Sequence, residues 1–158
     1  VAVRNGIQMR FDEENGRGGV NGRQIRFVVE DSQYQVPRAV QAVNKLINRD
    51  RVFAMIGNIG TAMNNASFPE QFGANVPNMF PFSGARSMYE PFHPLKFAAL
   101  PSYYSEARSF VKHFVEKRGK KSVCVLYQDT EFGQEIFEGA RDQLKEMNLP
   151  VVETATNR

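Results

Sequence analysis

The stretch VFAMIGNIGT, residues 52–61, runs from a continuous apolar segment directly into a loop that contains two glycines. The apolar run at 52–56 is typical of a strand buried on both faces, and a helix-compatible stretch follows at 62–72. In open α/β sheets, the loops that leave the carboxyl ends of strands carry ligands, because helix N-termini present unpaired N–H groups there. The stretch therefore predicts one strand–loop–helix unit of an α/β sheet, with a binding loop at residues 57–61.

Strands and helices alternate on both sides of this unit. Apolar residues at helical spacing predict four more helices, and short β-branched and aromatic runs predict five more strands. Of the four further helices, the first ends near Asn15, the second begins at Pro37, the third begins after Pro101-Ser102 and the fourth covers 133–147. The five further strands span 24–30, 78–82, 96–100 and 122–127, and the last begins at Val151. This alternation indicates a parallel α/β sheet, in which residues 83–85 and 128–133 are two further candidate binding loops.

The composition is that of an ordinary globular protein, because 42% of the 158 residues are hydrophobic and 23% are charged. The basic residues are scattered, so the net charge of +3 does not indicate a nucleic-acid partner. The single cysteine, Cys124, lies in an apolar run and predicts a buried thiol. His93 and His113 have no neighbouring cysteine, so we expect no metal site. We expect neither a membrane span nor a signal peptide, and the opening residues, already in helical phase, indicate a trimmed N-terminus.

Short motifs that follow one another along nearly the whole chain resemble one known family. They are EEN at 13–15, GGVNGR at 18–23, VED at 29–31, FAMIG at 53–57, VP at 76–77, FPFSGA at 80–85, VLYQD at 125–129 and FG at 132–133. In this order they resemble the leucine/isoleucine/valine-binding protein family, which comprises type I periplasmic solute receptors of ABC importers.

The resemblance implies a three-layer α/β fold of two lobes with parallel sheets, joined by crossing strands, with the ligand in the cleft between them. Residues 1–100 then form part of ligand-binding lobe one, whose first strand is missing. Residues 101–158 form the crossing segment and the start of lobe two. The expected sheets group the strands near Ile25, Val52 and Met79, and separately those near Val123 and Val151.

The missing first strand also bears on stability. Its absence would leave buried backbone groups unpaired, and each costs about 1 to 3 kcal/mol against a total stability of about 5 to 15 kcal/mol. We therefore expect residues 1–158 alone neither to fold stably nor to bind the solute.

The resemblance assigns ligand-binding roles to both loops of lobe one. Thr61 falls where the family presents a hydroxyl and a backbone N–H to the ligand carboxylate, although it also suits the N-cap of the following helix. Asn58 belongs to the same loop. Ser83 and Ala85 fall where the family offers backbone groups to an amino-acid ligand's ammonium and carboxylate, and Gly84 between them is a further candidate site residue. A tight turn of small residues explains this stretch equally well.

Two aromatic residues complete the candidate site. Phe132 falls where family members often place a tyrosine against the ligand, and core packing is its alternative role. Tyr103, just after the crossing, either lines the cleft or packs at the hinge.

The function that the resemblance implies is that of an extracytoplasmic, periplasmic receptor. It would deliver a small amino acid or carboxylic acid, branched-chain or aromatic, to the membrane permease of an ABC importer, without a cofactor or catalytic residues. A ligand-sensing domain with the same fold is an alternative. A dinucleotide-binding enzyme is a further alternative, indicated by Gly57 and Gly60, but Ile59 stands where that fingerprint requires glycine.

Overall fold

A computed structural model describes residues 2–157, so Val1 and Arg158, the outer ends of the two predicted lobe segments, lie outside the described residues. The elements in chain order are α1 (Ala2–Gly16), α2 (Val36–Asn48), β1 (Met55–Ile56), α3 (Thr61–Gly73), β2 (Asn78–Met79), a 3-10 turn (Arg86–Met88), β3 (Lys96–Phe97), α4 (Tyr103–Arg118), β4 (Val123–Gln128), α5 (Glu131–Glu146) and β5 (Val151–Asn157). All five predicted helices are confirmed, with ends that differ from the predicted ones by a few residues.

The described strands form two separate parallel sheets. One has the order β1-β2-β3, with Met55 opposite Asn78 and Asn78 opposite Lys96. The other pairs β4 with β5, and Val123 lies opposite Val151. The parallel α/β class is confirmed, and so is the expectation that the strands near Met79 and Val123 belong to different sheets.

The predicted strand at 24–30 is wrong for the described part of the chain, because none of its residues enters a strand there. The segment is held against α1 instead. The Asn15 amide accepts a hydrogen bond from the Ile25 N–H (2.7 Å) and donates one to the Ile25 carbonyl (2.8 Å), and the Phe27 ring meets the Phe11 ring edge-on. A strand requires a hydrogen-bonded neighbour, which β-propensity alone does not supply. The expected place of Ile25 in the sheet with β1 is therefore also wrong.

The strands predicted at 52–56, 78–82 and 96–100 are each reduced to two residues. The Val52 N–H donates to the Leu46 carbonyl, which closes the end of α2 rather than extending β1. Beyond β2, Phe80 adopts a left-handed conformation with φ of 52°, which interrupts regular pairing. The pairing resumes farther along as an isolated bridge between Ile59 and Phe82.

Each sheet has its own apolar core. Beside the first sheet, Val43 of α2, Met55 and Val76 are buried together. Beside the second sheet, α4 and α5 enclose a larger cluster composed of Ala107, Val111, Val125, Ala140 and Leu144. Among residues 2–157, no helix combines the length and the apolarity needed to cross a bilayer.

The second sheet is covered on one face by the described residues. Val125 points into the core and is 8% exposed, whereas its neighbour Leu126 is 74% exposed. Successive strand residues point to opposite faces, so Cys124 lies on the uncovered side with Leu126. The expectation of a buried thiol at Cys124 is therefore wrong, because an apolar run does not reveal whether both faces of a strand are covered.

The close approach of α4 and α5 depends on Gly139, because a Cβ there would overlap the backbone carbonyl oxygen of Tyr104. We expect Gly139→Ala in the intact protein to lower the free energy of unfolding by about 1 to 3 kcal/mol in urea denaturation, the usual cost of overpacking. Gly6→Ala is the matched control, because that position in α1 has open space around it. Alanine favours a helix over glycine by about 1 kcal/mol, so the control should be neutral or stabilising. Equal effects of the two substitutions would contradict this account of the helix contact.

Candidate functional site

The start of α3 is the centre of the candidate site. Gly60 is the N-cap, with φ of 94°, and Thr61 is the first helical residue. The alternative role of Thr61 as the N-cap is therefore wrong. Glycine has no side chain to cap the helix, so the N–H groups of the first turn, which have no intrahelical partner, remain available beside the positive end of the helix dipole.

Both the φ value of residue 60 and its close neighbours require glycine at this position. A Cβ at Gly60 would overlap the Met63 methyl group and come within 3.0 Å of the Tyr34 ring. The loop thus needs glycine to place Thr61 at the helix start.

A buried pair of hydroxyls joins the two loops of the first sheet. Thr61 Oγ1 lies 2.8 Å from Ser83 Oγ, and the two residues are 3% and 1% exposed. The Ala85 N–H donates to the same serine oxygen over 3.2 Å. The structure therefore brings the predicted residues Thr61 and Ser83 together, and it occupies the Ala85 N–H within the turn.

Asn58 shapes the loop through its main chain. Its carbonyl oxygen accepts hydrogen bonds from the Phe82 N–H (2.8 Å) and from Asn64 Nδ2 (3.1 Å). Asn64 also donates to the Gly60 carbonyl (2.8 Å) and accepts from Asn78 Nδ2 (3.1 Å). The buried Asn64 amide, which sequence reasoning missed, therefore holds the loop in place. The signal available in the sequence was that Asn64 is a polar residue on the inner face of the predicted helix.

The turn at 83–85 is fastened to the chain that leads into the second sheet. The Gly84 carbonyl accepts the Tyr103 N–H at 2.8 Å, and a Cβ at Gly84 would come within 2.6 Å of the Pro101 oxygen. The Tyr103 ring meets the Phe132 ring edge-on, with 4.9 Å between centroids. Gly84, Tyr103 and Phe132 thus form one packed group, which agrees with the packing roles considered for both aromatic residues.

A cavity of about 220 Å³ lies between the start of α3 and the loop that precedes α5. Its lining residues are Tyr34, Val36, Thr61, Ala62, Met63, Gln128, Thr130 and Phe132. Thr61 and Phe132 are the predicted site residues on this wall, whereas Ser83, Gly84 and Ala85 are buried in the adjoining turn. The cavity thus draws on elements associated with both sheets.

Gln128 and Thr130 belong to the predicted binding loop 128–133, whereas sequence reasoning missed Tyr34 as a lining residue. Thr130 is the N-cap of α5, and its hydroxyl accepts the Gly133 N–H at 3.4 Å. Tyr34 follows the extended segment 24–30 and has φ of 56°, next to Gln33 with φ of 49°. Two successive left-handed residues other than glycine are uncommon and cost free energy, which makes the placement of the Tyr34 ring at the cavity a specific feature.

The arrangement of the potential metal-ligating side chains in residues 2–157 does not meet what a metal site requires. Within residues 2–157, no three His, Cys, Asp or Glu side chains are grouped so that they could hold a metal ion. The cavity is lined instead by two threonines, by the first three residues of α3 and by aromatic and aliphatic residues.

Two parallel sheets that share a cavity at an uncapped helix start define the architecture of an α/β ligand-binding protein. Residues 1–157 match the family described as periplasmic binding protein, and the chain belongs to that family. The resemblance to leucine/isoleucine/valine-binding proteins and the type I fold are thereby confirmed.

Individual relatives agree with this membership. A Leu/Ile/Val-binding protein from Citrobacter freundii is 21% identical over 147 residues, which are 93% of this chain and 40% of that protein. A substrate-binding periplasmic protein from Ralstonia solanacearum superposes with a TM-score of 0.90 at 30% identity, over 99% of this chain and 44% of that one. A leucine binding protein from Thermotoga maritima gives a TM-score of 0.85 at 20% identity, over 99% and 43%. The chain thus spans less than half the length of these relatives.

The hydroxyl pair makes a testable contribution to stability. We expect Thr61→Val and Ser83→Ala in the intact protein each to destabilise the fold by about 1 to 3 kcal/mol, because each leaves a buried polar partner behind. The double variant should cost less than the sum by about 0.5 to 1.5 kcal/mol, the net value of one hydrogen bond, in a double-mutant cycle measured by urea unfolding.

Ser109→Ala is the control for this cycle, because the Ser109 hydroxyl is exposed and donates to the Ser105 carbonyl in its own helix. It should combine additively with Thr61→Val. Additivity between Thr61→Val and Ser83→Ala would show that the two hydroxyls do not interact.

Proposed function

We propose that this chain is part of an extracytoplasmic receptor that binds a small carboxylic acid, such as a branched-chain or aromatic amino acid, and delivers it to the membrane permease of an ABC importer. The observation that carries the proposal is the glycine-capped start of α3. It opens at Thr61 onto a cavity whose opposite wall includes Phe132. The family membership supports a periplasmic location.

The chemistry of the α3 start suits a carboxylate. Helix N–H groups and the helix dipole favour an anion at this end. Either hydroxyl can donate in the Thr61–Ser83 pair. When Ser83 donates to Thr61, Ser83 Oγ still accepts the Ala85 N–H, and the Thr61 hydroxyl proton is left for the ligand. In this arrangement Ser83 and Ala85 orient Thr61, and Thr61 contacts the ligand.

The cavity walls favour an apolar ligand side chain. Tyr34, Val36, Met63 and Phe132 supply aromatic and aliphatic surface. The relative from Citrobacter freundii is named for leucine, isoleucine and valine, and that from Thermotoga maritima for leucine, which favours a branched-chain amino acid. Phe132 keeps the ring but lacks the hydroxyl that the resemblance places at this position, so it adds to the apolar character.

The lobe assignment is part of the same proposal. Residues 1–100 supply the described part of lobe one, and residues 101–158 supply the crossing segment and the start of lobe two. Support comes from the separation of the two sheets and from the contacts of Gly84 with Pro101 and Tyr103, where the chain passes between them.

Ligand binding to the intact protein tests the proposal directly. A ligand that binds the native state raises the melting temperature, so thermal shift with L-leucine, L-phenylalanine, benzoate and NAD separates the candidate classes. We expect one of the three carboxylic acids to stabilise the protein. Stabilisation by NAD alone would support the dinucleotide-binding alternative instead.

Thr61→Val should weaken binding of the stabilising carboxylate by about ten- to a hundredfold in calorimetry. It removes a hydrogen bond to a charged group, worth about 1.5 to 3 kcal/mol. Thr61→Ser is the matched control, because it keeps the hydroxyl and should bind within about threefold of the wild type. An unchanged dissociation constant for a folded Thr61→Val variant would contradict the assigned role.

Tyr34→Ala should weaken binding of the same acid by about tenfold or more, because burying an aromatic ring face against a ligand contributes about 1.5 kcal/mol or more. Tyr34→Phe retains the ring and should behave like the wild type. If the alanine variant binds normally, Tyr34 lines the cavity without contacting the ligand.

A further inference from the structure

Arg86 reaches from the turn of the first sheet to the helix α5 of the second. Its Nε lies 3.1 Å from Glu135 Oε2, and its backbone N–H donates to Glu135 Oε1 over 3.2 Å. Its Nη2 donates to Glu138, and its guanidinium lies 4.3 Å above the centre of the Tyr104 ring. The side chain and the backbone N–H of Arg86 therefore contact two consecutive turns of α5.

The surroundings of Arg86 favour a persistent ion pair. The Glu135 side chain is 15% exposed and that of Arg86 is 33% exposed, so the pair is shielded more than a surface pair. Burial lowers the pKa of Arg86, but Glu135 and Glu138 outweigh this effect and raise it above its usual value. Charged, multidentate arginine contacts are stronger and more directional than neutral hydrogen bonds.

The contacts between Arg86 and α5 lie next to the candidate site. Arg86 directly follows Ala85, and Glu135 lies one helical turn after Phe132. A second contact crosses nearby, because Asn65 of α3 donates to Glu131 of α5. The two halves of the cavity are thus fastened to each other by side chains that do not line it.

We propose that Arg86 is a positioning residue that clamps the 83–85 turn to α5 and thereby sets ligand affinity, an inference that rests on the proposed function. A ligand that needs both walls binds in proportion to the fraction of molecules in which the walls are in register. A clamp that maintains the register raises this fraction before the ligand arrives and slows its departure afterwards.

Arg86→Met in the intact protein tests the clamp, because methionine keeps an apolar stem and removes the charge and the donors. Arg108→Met is the matched control. Arg108 also stacks on Tyr104, at 5.6 Å, and pairs with Glu146, but both of its partners lie in the α4–α5 pair. Two measurements are needed: hydrogen exchange of residues 83–86 and 131–138 without ligand, and the dissociation constant and off-rate for whichever of L-leucine, L-phenylalanine or benzoate stabilises the wild type.

For Arg86→Met we expect exchange in both segments to rise by about three- to tenfold and affinity to fall by a similar factor, mainly through a faster off-rate. Arg86→Lys should lie between it and the wild type, because lysine lacks the planar fork. Arg108→Met should leave the exchange of 83–86 and the affinity unchanged.

Several results would overturn the clamp. They are unchanged exchange in Arg86→Met, faster exchange with an unchanged dissociation constant, or an equal loss of affinity in Arg108→Met. The exchange measurement needs no ligand. If none of the three acids binds the wild type, the proposed function fails, and the role in affinity falls with it, while the exchange data still decide whether Arg86 fastens the turn to α5.

Discussion

The hydrogen bond between the Thr61 and Ser83 hydroxyls is the contact on which the candidate site depends. Both residues are buried; Thr61 ends the loop that follows β1, and Ser83 begins the turn that follows β2. The bond is possible because Gly60 adopts a conformation with φ of 94° and starts α3 without a capping side chain. The same glycine leaves the first N–H groups of the helix available, so a single backbone feature positions the hydroxyl and exposes the end of the helix at which we propose that the carboxylate binds.

The second sheet is tied to this centre by contacts of three kinds. Gly84 is joined to Tyr103 through the main chain, Tyr103 packs on Phe132, and Arg86 pairs with carboxylates of α5. Each contact alone is modest, but together they restrict how the two sheets move relative to each other. In a receptor that binds its ligand between lobes, such contacts determine how much ordering the ligand must bring about, and hence part of its affinity.

The two loops of the site tolerate few substitutions, because neighbouring groups lie close to their glycines. Glycine is required at position 60 by its φ value and by Tyr34, and at position 84 by the nearby Pro101 oxygen. Asn64 supports the first loop by donating to two of its carbonyls. Buried backbone groups need partners, so an irregular loop beside a short two-residue strand is stable when a side chain supplies them.

The sequence by itself determined the helices, the alternation of strand and helix and the positions of the loops that follow the strands, because helical hydrogen bonds and turn chemistry are local. The order of its short motifs also indicated the family. It also predicted a ligand-binding role for Thr61 at the start of α3. Only the tertiary structure decided that 24–30 is not a strand and that Cys124 is exposed. It also decided that Tyr34 lines the cavity and that Arg86 pairs with α5. These outcomes depend on which distant segments become neighbours, and strand pairing, face coverage and ion pairs across sheets carry no signal in local residue spacing.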